Sequence, residues 1–438
     1  MAAYRILSLD GGGSWALIEV MALQAIYGND CRGYDVLRNF DLVAANSGGS
    51  IVLGGLLTNK PLSEILGFFL EQEARAKVFE RLPFDFDFDS EGRPLRSVWN
   101  QTLSYISPVG AKYRTTAKLA GLCALLEPTG NETLHELHKA FSKSYDKSIH
   151  FLICAFDYDR KRAKFFRSNS QSLAGSVQPK PIPFIPLAEP KKDATLAEAI
   201  HASTNAPVKY FVEPATFGGE RYWDGAIAGY NNPILPAVVE AMANRRHGAG
   251  EPGDIQVLSI GTGTVSLPPD GKDVSAEDPR LLQHGRGAST LFGDVGMLAT
   301  SILDDPPDSA TFTVHVILGQ PLPDPNGSPK VAAPVSGTVV RMSPLVRPVR
   351  SNSIDSWRPP DGLDADTFSK IADLDLDVID EKEIGYLKKL GELWIAGKIR
   401  NQAIRENKYF DVQIGHATFA EARKAWLRLS GMAGWYPG

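Results

Sequence analysis

Cysteine, long apolar runs and an excess of positive charge are all scarce or missing in this sequence. Only three of the 438 residues are cysteine, and they lie far apart, which argues against a disulfide framework and against a closed thiolate zinc site. No apolar run approaches the roughly 18 residues typical of a bilayer-spanning helix. With 46 Lys and Arg against 51 Asp and Glu, the net charge is −5, which argues against a nucleic-acid binder.

The first residues leave no room for a secretory signal, because an apolar strand pattern begins at Tyr4. The scarcity of cysteine favours a reducing compartment. We therefore expect a cytoplasmic protein whose membrane contact, if it has any, is peripheral. At 43% hydrophobic and 22% charged residues, the composition is typical of a globular chain with a large core.

Two strand–loop–helix units follow each other at the start of the chain. Residues 4–9 form a short apolar run that ends in Asp10 and three glycines, and residues 16–27 have apolar side chains at helical spacing. The pattern repeats with an apolar run at 40–45, a turn of small residues, and helical spacing at 51–57. Such units predict parallel strands covered by helices, so we predict a three-layer α/β/α fold with a mainly parallel central sheet.

The later patterns predict one large domain over residues 1–330 and a mostly helical extension over 331–438 that packs on it. The division follows a proline-rich, linker-like stretch after about residue 330, and residues 76–115 break the regular pattern, which indicates an insertion. The further predicted elements are a helix at 62–73, a hairpin over 149–167, a helix at 194–204, strands at 254–260 and 312–318, and helices at 368–398 and 417–429.

Three consecutive glycines after the first strand form a loop whose backbone N–H groups can converge on an anion, helped by the dipole of the following helix. Residues 11–16 match the G-x-G-x-x-A pattern of dinucleotide-binding proteins. Asp10 next to the phosphate position, and the lack of an acidic residue after the second strand, argue against that function. A glycine turn that only allows close packing is the third interpretation of this loop.

One serine stands at the turn between the second strand and its helix. In Ala45-Asn46-Ser47-Gly48-Gly49 the residues two before and two after the serine are small. This is the G-x-S-x-G nucleophile elbow with alanine for the first glycine. A sharp turn that exposes the serine hydroxyl brings neighbouring backbones too close for larger side chains. The alternative is that Ser47 only caps the helix.

A serine nucleophile needs a base, and none of the eight histidines stands in a context that marks it as catalytic. A better candidate is Asp224, which follows an apolar and aromatic run and precedes Gly225 and Ala226. An Asp-Gly pair alone is more often a turn. A carboxylate within hydrogen-bond reach of a serine, and partly withdrawn from water, can take the serine proton directly.

In combination, the loop at Asp10–Gly13, the turn at Ser47 and the segment Asp224–Ala226 resemble, in that order, the three signatures of patatin-like phospholipases. The key residues are 37 (47 − 10) and 177 (224 − 47) positions apart. Further similar stretches are His201–Pro207, Asn231–Pro233 and 258–263. The resemblance covers about residues 4 to 265, with a less specific likeness over 368–398.

The resemblance implies a lipid acyl hydrolase of the phospholipase A type that uses a Ser-Asp dyad. In that case Ser47 is the nucleophile, Asp224 is its base, and the backbone of Gly11, Gly12 and Gly13 forms the oxyanion hole. The implied substrates are phospholipids or other acyl lipids. The implied mechanism needs no metal and no cofactor.

The sequence departs from the family pattern Gly-Gly-Gly-x-Arg-Gly, because Trp15 and Ala16 occupy the last two places. Ala45 also replaces a glycine of the elbow. Neither change removes a reacting group, so we expect rate and head-group preference to be affected more than the type of reaction.

Two other functions remain open: a dinucleotide-binding protein that uses the Gly11–Gly13 loop, and a catalytically silent interaction protein with the same fold. An enzyme held silent until a regulatory ligand or partner binds is also open. The acidic residues over 373–383 lack the spacing of a calcium-binding EF-hand loop. We interpret them as the solvated face of a helix.

Overall fold

The computed structural model of the chain describes residues 3–78, 115–168, 193–207, 210–211, 213–244, 254–270, 274–283, 307–323, 334–351, 356–406 and 412–432. Its strands are β1 (Tyr4–Leu9), β2 (Leu42–Ala45), β3 (His150–Asp157), β4 (Arg162–Arg167), β5 (Ala215–Phe217), β6 (Glu220–Asp224), β7 (Ile255–Ile260), β8 (Thr264–Val265), β9 (Ser275–Ala276), β10 (Val339–Met342), β11 (Pro344–Val346), β12 (Val349–Arg350), β13 (Ser356–Arg358) and β14 (Arg400–Asn401). Its helices are α1 (Leu17–Tyr27), α2 (Gly33–Leu37), α3 (Ser47–Leu57), α4 (Leu62–Leu70), α5 (Gln72–Val78), α6 (Thr115–Leu125), α7 (Leu134–Tyr145), α8 (Leu196–Ser203), α9 (Ile234–Asn244), α10 (Pro307–Ile317), α11 (Ala365–Ala372), α12 (Glu381–Ile395) and α13 (Phe419–Leu429).

A mainly parallel sheet forms the centre of the molecule. Its strand order is β10-β7-β1-β2-β3-β6-β5, and β4 also pairs with β3. The pairs from β10 to β3 are parallel, whereas β4, β5 and β6 are added in antiparallel orientation. Leu9 aligns with both Ala45 and Ile260, so the carboxyl ends of β1, β2 and β7 meet at one edge. Ligands of α/β sheets bind at that edge.

Helices cover both faces of this sheet. Successive residues of a strand point to opposite faces, and in β1 Ile6 packs in one apolar cluster while Leu7 and Leu9 pack in another. Helices α1, α3, α4 and α12 contribute to the cluster of Leu7, and α9 and α10 contribute to that of Ile6. The predicted three-layer α/β/α fold is confirmed.

Most of the predicted elements are confirmed, with ends that shift by a few residues. The hairpin over 149–167 is the pair β3 and β4. The predicted helix at 62–73 ends at Leu70 as α4, and α5 follows from Gln72. Residues 79–114, which make up most of the predicted insertion, lie outside the described residues.

Residues 312–318 lie almost entirely in helix α10, so the prediction of a strand there is wrong. Apolar residues at alternate positions suggested a strand, but burial follows the helical period. Val314 and Leu318, four residues apart, are buried, whereas Val316 and Ile317 are 45% and 41% exposed. The helix also begins at a proline, which is favoured in a first turn.

The C-terminal part of the chain adds both a strand and helices to the fold. Strand β10 pairs with β7 at the edge of the central sheet, although prolines in this region suggested a linker. The predicted helix at 368–398 is two helices, α11 and α12, which residues 373–380 connect. The domain boundary at residue 330 stays a prediction, and β10 lies on its C-terminal side. None of the helices in the described ranges is both long and apolar enough to cross a membrane.

Candidate active site

Ser47 stands at a strained turn between β2 and α3. Its φ angle is +45°, a left-handed conformation that is costly for a residue with a β-carbon. A β-carbon on Gly48 would lie 2.5 Å from the carbonyl oxygen of Gly13. One on Gly49 would lie 2.6 Å from that of Asp10. Both positions therefore require glycine. The requirement at Gly49, two residues after the serine, is the one that we inferred from the sequence.

The sheet register brings Asp224 next to this turn. Ala45, the last residue of β2, aligns with Ile153 of β3. Two residues further along β3, Ala155 aligns with Asp224, the last residue of β6. The two predicted catalytic residues thus lie at the same edge of the sheet, although 177 residues (224 − 47) separate them in the chain.

The carboxylate of Asp224 lies in the same pocket as Ser47. Its Oδ1 accepts hydrogen bonds from the Nδ2 of Asn46 at 3.0 Å and from the backbone N–H of Ala226 at 2.9 Å. The Ser47 side chain is near enough to lower the pKa of this carboxyl. The structure therefore places the predicted nucleophile and the predicted base side by side.

Burial raises the pKa of the Asp224 carboxyl, and the neighbouring Ala226 N–H, Ser47 hydroxyl and Asn46 amide lower it only in part. The side chain is almost completely buried. A raised pKa makes a carboxylate a stronger base. Among the described residues that line the pocket around Ser47, none is a histidine.

The glycine loop borders the same pocket, but the N–H of its first glycine is bonded to another part of the chain. The N–H of Gly11 donates to the carbonyl oxygen of Asn231 at 2.7 Å, so the predicted role of Gly11 as an oxyanion donor is inconsistent with this bond. Gly12 and Gly13 line the pocket, as does Gly48 in the first turn of α3. N–H groups in a first helical turn have no partner within the helix. Gly48 is a candidate donor that the sequence analysis missed, although its place after the serine was an available signal.

Three further residues hold the turn and the carboxylate in place. The Oγ of Ser203 accepts a hydrogen bond from the N–H of Ser47 at 2.9 Å, and the carbonyl oxygen of Asn205 accepts one from the N–H of Asp224 at 3.1 Å. The buried Nζ of Lys118 donates to the Oδ1 of Asn205 at 2.9 Å. Ser203 and Asn205 belong to a stretch that carried the family resemblance. Nothing in the sequence singled out Lys118.

A C-terminal segment, residues 375–379, lies across the glycine loop, and we call it the strap. The N–H of Ser14 donates to the carbonyl oxygen of Leu376 at 2.8 Å, and the Ser14 hydroxyl donates to that of Val378 at 2.7 Å. The indole N–H of Trp15 donates to the first carbonyl of the strap at 3.0 Å. Trp15 occupies the place where the family pattern has arginine, and here it ties the loop to the strap.

The strap corrects our interpretation of residues 373–383 as one solvated helix face. Residues 373–380 connect two helices, and only the later residues belong to α12. The guanidinium of Arg75 donates to the carbonyl oxygen of Ile379 at 2.8 and 3.1 Å, and Asp377 is buried. Strap carbonyls bond to distant residues because the segment is not helical, which a local charge pattern does not reveal.

The pocket around Ser47 is small and capped by apolar side chains. Its volume is about 30 Å³, room for about two waters. Leu376 and Ile379 of the strap pack against an apolar cluster that contains Tyr210 and Phe211. A second cavity of about 270 Å³ adjoins the pocket. The residues that line both spaces are Gly12, Tyr210, Asn231 and Leu376.

A buried ion pair between Arg341 and Asp10 lies next to the glycine loop. The Nη2 of Arg341, in β10, lies 2.6 Å from the Oδ2 of Asp10, and both side chains are 2% exposed. Arg341 also donates to the Oγ of Ser259 at 2.8 Å. Burial raises the pKa of Asp10 to about 6, although Arg341 lowers it. This pair connects the edge strand β10 to the residue that precedes the loop.

Replacing Arg341 with methionine is expected to lower the free energy of unfolding by about 3–5 kcal/mol, because it leaves the buried Asp10 without its counter-ion. Urea denaturation followed by circular dichroism measures this change. The matched control is Arg221→Met, which removes an arginine from an exposed pair with Asp159 and should change stability little. Equal losses in both variants would contradict the importance of the buried pair.

A match to a family model supports the family resemblance, and two further proteins are similar to this chain. A family model described as patatin-like phospholipase matches residues 7–238, which is 232 (238 − 7 + 1) of 438 residues. A Caenorhabditis elegans protein described as an intracellular phospholipase A2 is 35% identical over 86 residues, which cover 19% of this chain and 8% of that protein. The crystal structure of VipD from Legionella pneumophila matches 90% of this chain and 67% of that chain, with 10% identity and a TM-score of 0.33.

Proposed function

Because the chain belongs to the patatin-like phospholipase family, we propose that it is a serine lipid acyl hydrolase of the phospholipase A type. The proposed substrates are glycerophospholipids or related acyl lipids, reached by peripheral contact with a membrane. Ser47 is the proposed nucleophile and Asp224 the proposed base. The observation that carries this proposal is the position of Ser47 at a strained turn, in one pocket with the buried carboxylate of Asp224.

The proposed reaction has an acylation half and a deacylation half. The Oγ of Ser47 attacks the carbonyl carbon of the ester while its proton passes to Asp224. The C–O bond breaks, the alcohol leaves with the proton from Asp224, and the acyl group stays on Oγ. Water then attacks the acyl group and gives a proton to Asp224, and the fatty acid leaves as Ser47 regains its proton. The proposed steps use no metal ion and no cofactor.

The negative charge that develops on the carbonyl oxygen needs donors in fixed positions. We assign this role to the N–H groups of Gly12, Gly13 and Gly48, which line the serine pocket. One such donor typically stabilises the transition state by about 3–4 kcal/mol. The N-terminal end of α3 also favours negative charge at Ser47. Carbonyl oxygens of the strap accept hydrogen bonds from Ser14, next to the glycines. These bonds hold the loop in a fixed position, which supports this assignment.

The deciding experiment labels the protein with a fluorophosphonate probe, locates the labelled residue by mass spectrometry, and identifies the products released from a mixed lipid extract. We expect labelling at Ser47, and free fatty acids with lysolipids as products. Tight NAD(P) binding without ester hydrolysis would favour the dinucleotide-binding function instead. Failure of labelling together with no lipid turnover would favour a silent interaction protein.

The pH dependence of the reaction tests the proposed base. Asp224 must be ionised to accept the serine proton, and burial raises its pKa above the ordinary value of 3.8. Activity should therefore be complete above this raised pKa and fall as the pH decreases through it. The measurement is kcat/KM for a soluble aryl ester against pH, with circular dichroism at each pH to confirm that the fold persists. A profile that stays flat down to about pH 4 would argue against a carboxylate of raised pKa as the base.

A further inference from the structure

The serine pocket holds only a small part of the acyl substrates that the proposed function requires. At about 30 Å³ it has room for about two waters, so the first carbons of an acyl chain fit beside Ser47 and the rest of the chain extends beyond the pocket. The adjoining cavity, at about 270 Å³, is much larger. Its lining includes the apolar side chains of Trp15, Val265, Ala372 and Leu374 beside polar groups, and apolar walls suit an alkyl chain.

Among the residues that the structure describes, four line both spaces, and we call them the wall. Two of them, Gly12 and Asn231, offer backbone or a short polar side chain. The other two are Tyr210 and Leu376. Leu376 is half-buried on the strap, and its side chain packs against the apolar cluster that contains Tyr210. It is therefore the aliphatic part of this wall.

The position of Leu376 is set by its main chain and not by its side chain. Its carbonyl oxygen accepts the N–H of Ser14 at 2.8 Å, and the carbonyls of Val378 and Ile379 are also bonded. A β-carbon on Gly13 would lie 2.2 Å from the Leu376 carbonyl oxygen, so the strap approaches the loop as closely as glycine allows. Because these bonds involve main-chain carbonyls, we expect them to persist when the side chain is shortened.

We propose that the side chain of Leu376 is a specificity-determining element, which limits the length of the acyl chain by separating the serine pocket from the larger cavity. The inference rests on the proposed function, because it concerns the substrate of the same serine. With leucine in place, the shorter of two acyl chains is hydrolysed faster. When the side chain is removed or displaced, the two spaces join and a longer chain extends into the cavity.

The test measures kcat/KM for p-nitrophenyl esters from acetate to decanoate. One misplaced methylene already changes kcat/KM by roughly tenfold or more, so Leu376→Ala should raise the decanoate-to-acetate ratio by at least about tenfold. Leu376→Phe, which fills more of the wall, should lower that ratio below the wild-type value. The matched control is Leu322→Ala, a leucine that is 55% exposed, which should leave the ratio at its wild-type value.

A second readout does not depend on turnover. The rates of labelling by fluorophosphonates with a short and a long alkyl chain should shift in the same directions in the two Leu376 variants. An unchanged ratio in Leu376→Ala, with ester hydrolysis retained, would overturn the role of Leu376 and leave the proposed function intact. A wild-type protein that neither hydrolyses an ester nor reacts with a fluorophosphonate would overturn both. Should the alanine variant fail to fold, the phenylalanine variant alone decides, since an unchanged ratio in it refutes the proposal.

Discussion

Replacing Ser47 with alanine is expected to abolish acyl-ester hydrolysis, with kcat lowered on the order of 10⁴- to 10⁶-fold. Alanine has no hydroxyl, so no acyl-enzyme forms, and the donors around the pocket are left to stabilise only a slow attack by water. Labelling by fluorophosphonate should disappear with the activity. The measurements are kcat on a soluble aryl ester and on phospholipid vesicles.

The matched control is Ser63→Ala, because Ser63 is exposed on α4 and should be dispensable. Circular dichroism and thermal unfolding should show that both alanine variants keep their fold. Alanine and serine both carry a β-carbon, so we expect the strained φ of +45° at position 47 to cost both proteins the same. Wild-type activity in a folded Ser47→Ala protein would refute the assignment of the nucleophile.

Replacing Asp224 with asparagine is expected to lower kcat by about 10²- to 10⁴-fold, the usual contribution of a general base. The amide has nearly the shape of the carboxylate, and its oxygen can still accept from Asn46 and Ala226, which both bond to Oδ1. What is lost is the group that takes the proton from Ser47. The loss should therefore appear in kcat and in the rate of fluorophosphonate labelling, with little change in stability.

Two comparisons make the Asp224→Asn result specific. Asp361→Asn changes an exposed carboxylate in the same way and should keep full activity. The double variant Ser47→Ala with Asp224→Asn should be no slower than Ser47→Ala alone, because residues that act as one unit are not additive. A further large loss in the double variant would show that Asp224 acts independently of the serine.

The central part of the fold was predictable because its signals are local. Apolar runs such as 4–9 and 40–45, each followed by a small-residue turn and a helical pattern, imply parallel strands with helices on both faces. The error at 312–318 has a local cause too, since a short amphipathic helix can place apolar residues at alternate positions. The burial pattern distinguishes a helix from a strand here, because Val314 is buried and Val316 is exposed, whereas a strand would place both on the same face.

The candidate site was predictable in part. The turn at Ser47 and the segment at Asp224 carry sterically demanding patterns, and their order suggested that they meet. Gly11 was grouped with its neighbours because a sequence does not show that its N–H is bonded to Asn231. The strap was missed because its role depends on backbone carbonyls, which every residue type has.

Strand β10 and the strap also limit how far the chain can be shortened from its C-terminal end. A fragment that ends at residue 330 keeps every residue of the family match, 7–238, but it lacks Arg341 and all the strap carbonyls. The β7 edge of such a fragment would carry unpaired backbone groups, which are a template for aggregation. We therefore expect a fragment that ends at residue 330 to be less stable than the full chain, although it keeps Ser47 and Asp224, and expression trials should retain the C-terminal part.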